Sequence, residues 1–174
     1  IMIAFAKEYG YKLNFAPVDF EAKLGGIASN KYDIAIGGIT VTDERREEMN
    51  FTVSYYESPV VMVTKGQDNA GSTLSDLADK KVGVMTASIQ AVMMPKLVPD
   101  AEYMEFNSIS DMIAALNSNK IDAFGCDESL YTSMLWEGQA VDRIDEPIDK
   151  SNYGLIFQKG KKLELQNEVN EFIA

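Results

Sequence analysis

The sequence contains no histidine and only one cysteine, Cys126. Without histidine the commonest general base, the serine–histidine nucleophile pair and most zinc sites are out of reach. No metal or cofactor is therefore expected, and nothing marks an enzyme. A lone cysteine cannot close an internal disulfide, and its place in an apolar strand pattern reads as a buried structural thiol. Positive charge is also scarce, with 16 Lys and Arg against 27 Asp and Glu and a net charge of −11. Such a chain cannot neutralise a phosphate backbone, so no nucleic-acid partner is expected, and its acidic surface avoids anionic lipid. Long apolar runs are missing too, and about 18 consecutive apolar residues are needed to span a membrane. The opening, IMIAFAKEYGYK, lacks the charged start and apolar run of a secretory leader. It begins inside a helix without a cap, and the chain stops within a helix at Ala174, so the expectation is a piece of a longer protein.

What is present is ordinary globular composition, 46% hydrophobic and 25% charged over 174 residues, enough for one domain or two small lobes. Residues 1–9 read as a helix stopped by Gly10, and Tyr11 to Phe15 alternates as a strand. Phe20 to Asn30 reads as a helix weakened by Gly25 and Gly26. Asp33 to Gly37 and Pro59 to Lys65 read as apolar strands, with a short helix over Asp43 to Glu48 between them. Gly66 to Ser72 reads as a polar loop and Ser75 to Ala78 as a short helix. Strands over Val82–Met85, Glu102–Phe106, Ile121–Cys126, Val141–Ile144 and Tyr153–Phe157 then alternate with helices over Ser88–Leu97, Ser108–Asn117, Glu128–Trp136 and Lys161–Ile173. The alternation predicts an α/β fold with mainly parallel sheets, whose ligands bind beyond the carboxyl ends of strands.

Three polar clusters fall at such ends: Gly38 to Arg45, Thr86 to Gln90, and Asp127. Arg45 carries a planar fork suited to a carboxylate, with the hydroxyls of Thr40 and Thr42 close by. It also stands among Asp43, Glu44, Glu47 and Glu48, so a solvated charge run is an equal reading. Ser88 and Ile89 open a helix, and helix N-termini attract carboxylates; plain capping by Ser88 explains the same residue. Asp127 at a strand end can receive an ammonium group or cap the next helix. Phe20, Tyr55 and Tyr56 are candidates for walling a ligand, or for core.

Four ordered stretches carry a resemblance. DIAIGGITVTDERREEMNFTVSYYES, KKVGVMTASIQ, KIDAFGCDESL and NYGLIFQKG resemble the successive motifs of the type II periplasmic solute-binding proteins, amino-acid-binding group. The resemblance implies two Rossmann-like lobes, residues 1–58 plus 153–174 and residues 59–152, joined by two strands with a ligand cleft between them. It implies that Arg45 holds an α-carboxylate, helped by the Thr40 main chain and the helix start at Ser88 and Ile89. Asp127, with the Gly38 carbonyl and the Thr40 hydroxyl, would hold the α-ammonium, and Phe20 would wall the pocket. It further implies a periplasmic or extracellular place, lipid-anchored in a Gram-positive cell, a membrane ABC permease as partner, and a monomer. The family's first strand and final helical turns have no counterpart here, so lobe one is expected to be incomplete. Ala87 stands where glycine is usual. Lys23 replaces an apolar residue and could reach an acidic ligand side chain or pair with Glu21. Two rival readings remain: a sensing domain of a membrane receptor or kinase, and a dehydratase-like enzyme on the same fold.

Overall fold

A computed structural model describes residues 1–66, 72–146 and 148–174. The polar loop expected over Gly66 to Ser72 falls mostly on residues 67–71, outside the described residues. In chain order the elements are α1 (Met2–Tyr9), α2 (Phe20–Ala28), α3 (Asp43–Glu48), β1 (Met49–Phe51) and β2 (Tyr56–Lys65). A 3-10 turn (Leu74–Leu77), β3 (Lys81–Met85), α4 (Ile89–Leu97), β4 (Glu102–Phe106) and α5 (Ile109–Asn117) follow. The rest comprises β5 (Ala123–Asp127), α6 (Glu128–Trp136), β6 (Val141–Arg143), β7 (Asp149–Tyr153), β8 (Ile156–Gln158) and α7 (Leu163–Ile173). The residues form two compact units, Ile1–Glu57 with Asn152–Ala174, and Ser58–Ser151. The chain passes from one to the other within β2 and returns within β7.

The second unit is built on a sheet ordered β4-β3-β5-β2-β6, with β7 also paired to β2. Its strands alternate between two cores, as a pleat of period two requires. Val61, Val63, Phe124 and Cys126 face one core with Met112 and Leu116 of α5. Met62, Ala123, Val82 and Val84 face the other with Met94 of α4. Every residue of β5 is buried, which marks it as the central strand. The expectation of a mainly parallel sheet is corrected here. β3 runs parallel to β4 and β5, but β2 is antiparallel to both β5 and β6. An apolar run does not encode strand direction; β2 enters from the first unit and so meets its neighbours from the opposite end. Because β3 and β5 are parallel, Met85 and Asp127 finish at the same edge of the sheet. Helices start at that edge with Ser caps: Ser88 Oγ accepts from Ala91 N at 3.2 Å, and Ser108 Oγ from Asp111 N at 3.1 Å.

In the first unit β1 pairs antiparallel with β8, Met49 opposite Gln158 and Phe51 opposite Ile156. The return segment is fastened further by Gln166, whose Nε2 donates to the Phe51 carbonyl at 2.8 Å, and by Asn170, whose Oδ1 accepts from Val53 N at 2.8 Å. α1 ends at Gly10 in the left-handed region, φ +76°, as its sequence predicts. Two expected strands are not realised as such. Tyr11 to Phe15 carries the alternation but joins no ladder, and Tyr11 and Phe15 are exposed. Asp33 to Gly37 is reduced to one bridge, Ala35 opposite Ile156. The alternation records which faces are apolar, whereas a strand also needs a neighbour for its amides and carbonyls. The one strand expected over Tyr153–Phe157 divides into β7 and β8, because Tyr153 and Ile156 bond to different partners. A cavity of about 610 Å³ lies against residues 11–18 and 31–36.

Candidate functional site

The candidate residues of the first unit gather around a glycine turn. Gly37 and Gly38 have φ of +111° and +61°, a region open to glycine and strained for other residues. Tyr55 sits behind this turn. Burial raises its phenol's pKa, and hydrogen bonds from the backbone of Gly37 and Gly38 oppose the shift. Thr40 follows, buried and bridged to Tyr153. The bridge's hydrogen bonds run from Val41 N to Asn152 O and from Gly154 N to Ile39 O, so Thr40's own peptide groups face away from that partner.

Arg45 uses that orientation. Its Nη1 donates to the Thr40 carbonyl at 2.8 Å, and its guanidinium lies 5.5 Å from the centre of the Phe20 ring. Thr42 caps α3 by accepting from Arg45 N at 3.2 Å. Of the six residues of α3, Arg45 alone is half-buried and the other five are exposed. The charge-run reading therefore holds for Asp43, Glu44, Arg46, Glu47 and Glu48, but not for Arg45. Burial lowers the Arg45 pKa, and Glu44 pushes the other way. A desolvated guanidinium resting on an aromatic face suits an incoming carboxylate.

The second unit places Ser88, Ile89 and Asp127 at the shared edge of β3 and β5. Ser88 is buried and caps α4. Ala87 just before it holds φ +60°, left-handed backbone in a non-glycine residue. Asp127 occupies the N-cap position of α6, yet its side chain makes no capping hydrogen bond. Instead Gln90 Nε2 donates to Asp127 Oδ1 at 3.2 Å, with both side chains buried. The amide orients the carboxylate without neutralising it. Gly125 makes this possible, since a Cβ there would come within 3.3 Å of the Gln90 side chain. Cys126 is buried and its thiol pKa is pushed well up by desolvation, consistent with an inert core residue. The sequence marks Gln90 as part of a polar cluster and Tyr55 as a wall or core residue, but not the bond from Gln90 to Asp127 or the place of Tyr55 behind the glycine turn. The sequence signal for both is their place beside the motif residues, in the first turn of α4 and just ahead of β2.

Among the described residues no group of three or more acidic or cysteine side chains could hold a metal ion, and no helix is long and apolar enough to cross a membrane.

An α/β unit with capped helices and polar groups at one strand edge, entered within β2 and left within β7 by the chain of a second unit, defines the type II periplasmic binding-protein fold. The chain belongs to the bacterial extracellular solute-binding proteins, family 3, whose sequence profile matches residues 1–174. It is 32% identical over 122 residues to the arginine-binding extracellular protein ArtP of Bacillus subtilis, covering 69% of this chain and 48% of that protein. It is 26% identical over 169 residues to a probable histidine-binding protein of Campylobacter jejuni, covering 97% and 66%. Among solved structures it matches an amino acid ABC transporter substrate-binding protein of Streptococcus pneumoniae bound to L-arginine. That match has a TM-score of 0.91 at 28% identity, over 98% of this chain and 73% of the other. An ancestral arginine-binding protein bound to glutamine gives a TM-score of 0.90 at 29% identity, over 99% and 77%. The chain spans about half to two thirds of the length of these curated relatives.

Proposed function

We propose that this chain captures a single α-amino acid outside the cytoplasm and hands it to an ABC permease, with no bond made or broken. The observation that carries the reading is the division of charge. Arg45, desolvated over Phe20 and bonded to the Thr40 carbonyl, is a carboxylate fork in one unit. Asp127, held by Gln90, is an ammonium acceptor in the other. A zwitterion needs one of each, so a ligand meeting both favours the closed arrangement of two hinged lobes. Gly38 and Thr40 would add acceptors for the ammonium group, and the N-terminus of α4 at Ser88 and Ile89 would add donors for the carboxylate. The relatives' names, which specify arginine, histidine, glutamine and cystine, support amino acids as the ligand class.

Titration calorimetry tests the assignment. With a binding amino acid in hand, Arg45→Ala is expected to weaken it by about 100-fold or more, the scale of losing a desolvated charge-assisted pair. Asp127→Asn is expected to weaken amino acids far more than the corresponding carboxylic acids without the amino group. Unchanged affinity in Arg45→Ala would remove the carboxylate assignment.

A further inference from the structure

The first unit carries a second cation beside Arg45, and nothing in the zwitterion reading uses it. Lys23, on α2, is half-buried, and its Nζ lies 5.3 Å from the centre of the same Phe20 ring that Arg45 covers. Its one hydrogen bond goes to the Gly37 carbonyl at 2.8 Å. The pairing with Glu21 that the sequence allowed does not form. Among the described residues no carboxylate lies within ion-pair distance of Lys23, and Glu21 is exposed. An ammonium has three donors, and the glycine turn meets one of them. Burial also disfavours its charged form. A long flexible side chain held over a ring, turned towards the binding turn and stripped of part of its water, is stabilised best by an anion.

Building on the proposed function, we infer that the ligand is an α-amino acid with a carboxylate side chain, and that Lys23 receives that second carboxylate. The charges then match one for one. The α-carboxylate meets Arg45, the α-ammonium meets Asp127, and the side-chain carboxylate meets Lys23, with the ligand's methylene groups against Phe20. A glutamine side chain offers Lys23 an oxygen without a charge. An arginine side chain sets like charges together, which is repulsive at close range. This chain should therefore reject the ligand named for its arginine-binding relatives.

The test is calorimetric titration of the protein and of Lys23→Met and Lys23→Arg with L-glutamate, L-aspartate, L-glutamine and L-arginine. The expected order is glutamate or aspartate at least about tenfold tighter than glutamine, with arginine weakest. Lys23→Met, which keeps the apolar stem, should bring the acid-to-amide affinity ratio close to one. Lys23→Arg should preserve it. A parent that binds glutamine or arginine as tightly as the dicarboxylic amino acids overturns the inference. So does a Lys23→Met variant that weakens every ligand equally, the mark of a structural lysine. If a neutral or basic amino acid binds and Arg45→Ala abolishes it, the zwitterion reading stands and the Lys23 assignment falls. If no amino acid binds, both fall together.

Discussion

Ala87 holds φ +60° at the turn that delivers the polypeptide from β3 into α4. A Cβ in that region costs about 1–2 kcal/mol, and the turn leads directly into the Ser88 cap of α4. Ala87→Gly is expected to raise unfolding stability by about 0.5–1 kcal/mol, the relief of strain less the extra freedom glycine has when unfolded. Urea titration reads this as a higher midpoint with an unchanged slope. Lys23 gives a second residue-level expectation. Burial holds its pKa below 10.5, so the unfolded chain keeps its proton to higher pH than the folded one. The penalty for the buried charge stands below the folded pKa and fades as pH rises through it towards 10.5. The parent should therefore gain stability relative to Lys23→Met over that interval, as measured by urea unfolding at stepped pH.

At the scale of elements, caps do two jobs that can be separated. Ser88 and Ser108 cap α4 and α5 with the same geometry, but only Ser88 stands beside Gln90 and Asp127. Each serine changed to alanine should cost about 1 kcal/mol of stability. Ser88→Ala should in addition weaken the amino-acid ligand, whereas Ser108→Ala should leave its affinity untouched. Thermal unfolding and calorimetry on the two variants together distinguish a site residue from a cap. The caps, the helices they start and the buried strands were legible in sequence, because hydrophobic period and capping chemistry are local. Strand direction was not, and neither was the failure of Tyr11 to Phe15 to pair, since both depend on neighbours distant in the chain. Arg45 shows the same limit at the site. Its neighbours spelled out a surface run, and only the turn of α3 set it apart from them. The Gln90–Asp127 bond joins residues 37 positions apart, and no spacing rule announces it.

For the molecule as a whole, the second unit owns two complete cores, one on each face of its sheet. A fragment of residues 58–151 is therefore expected to fold alone and to unfold cooperatively in urea, as followed by circular dichroism. It should keep Ser88, Gln90 and Asp127 in place while binding no amino acid measurably, because Arg45 and Lys23 are absent from it. Non-cooperative melting of the fragment would show that its sheet depends on the other unit.

The first unit, by contrast, is split by the insertion. β1 finds its partner in β8, and Phe51 and Val53 are fastened by side chains of α7. A ribosome makes β8 and α7 only after the second unit. During synthesis the unit that begins at Ser58 is whole once Ser151 has emerged, while residues 1–57 wait, apolar faces uncovered, for the stretch from Asn152. The first unit is thus begun before the second and completed after it.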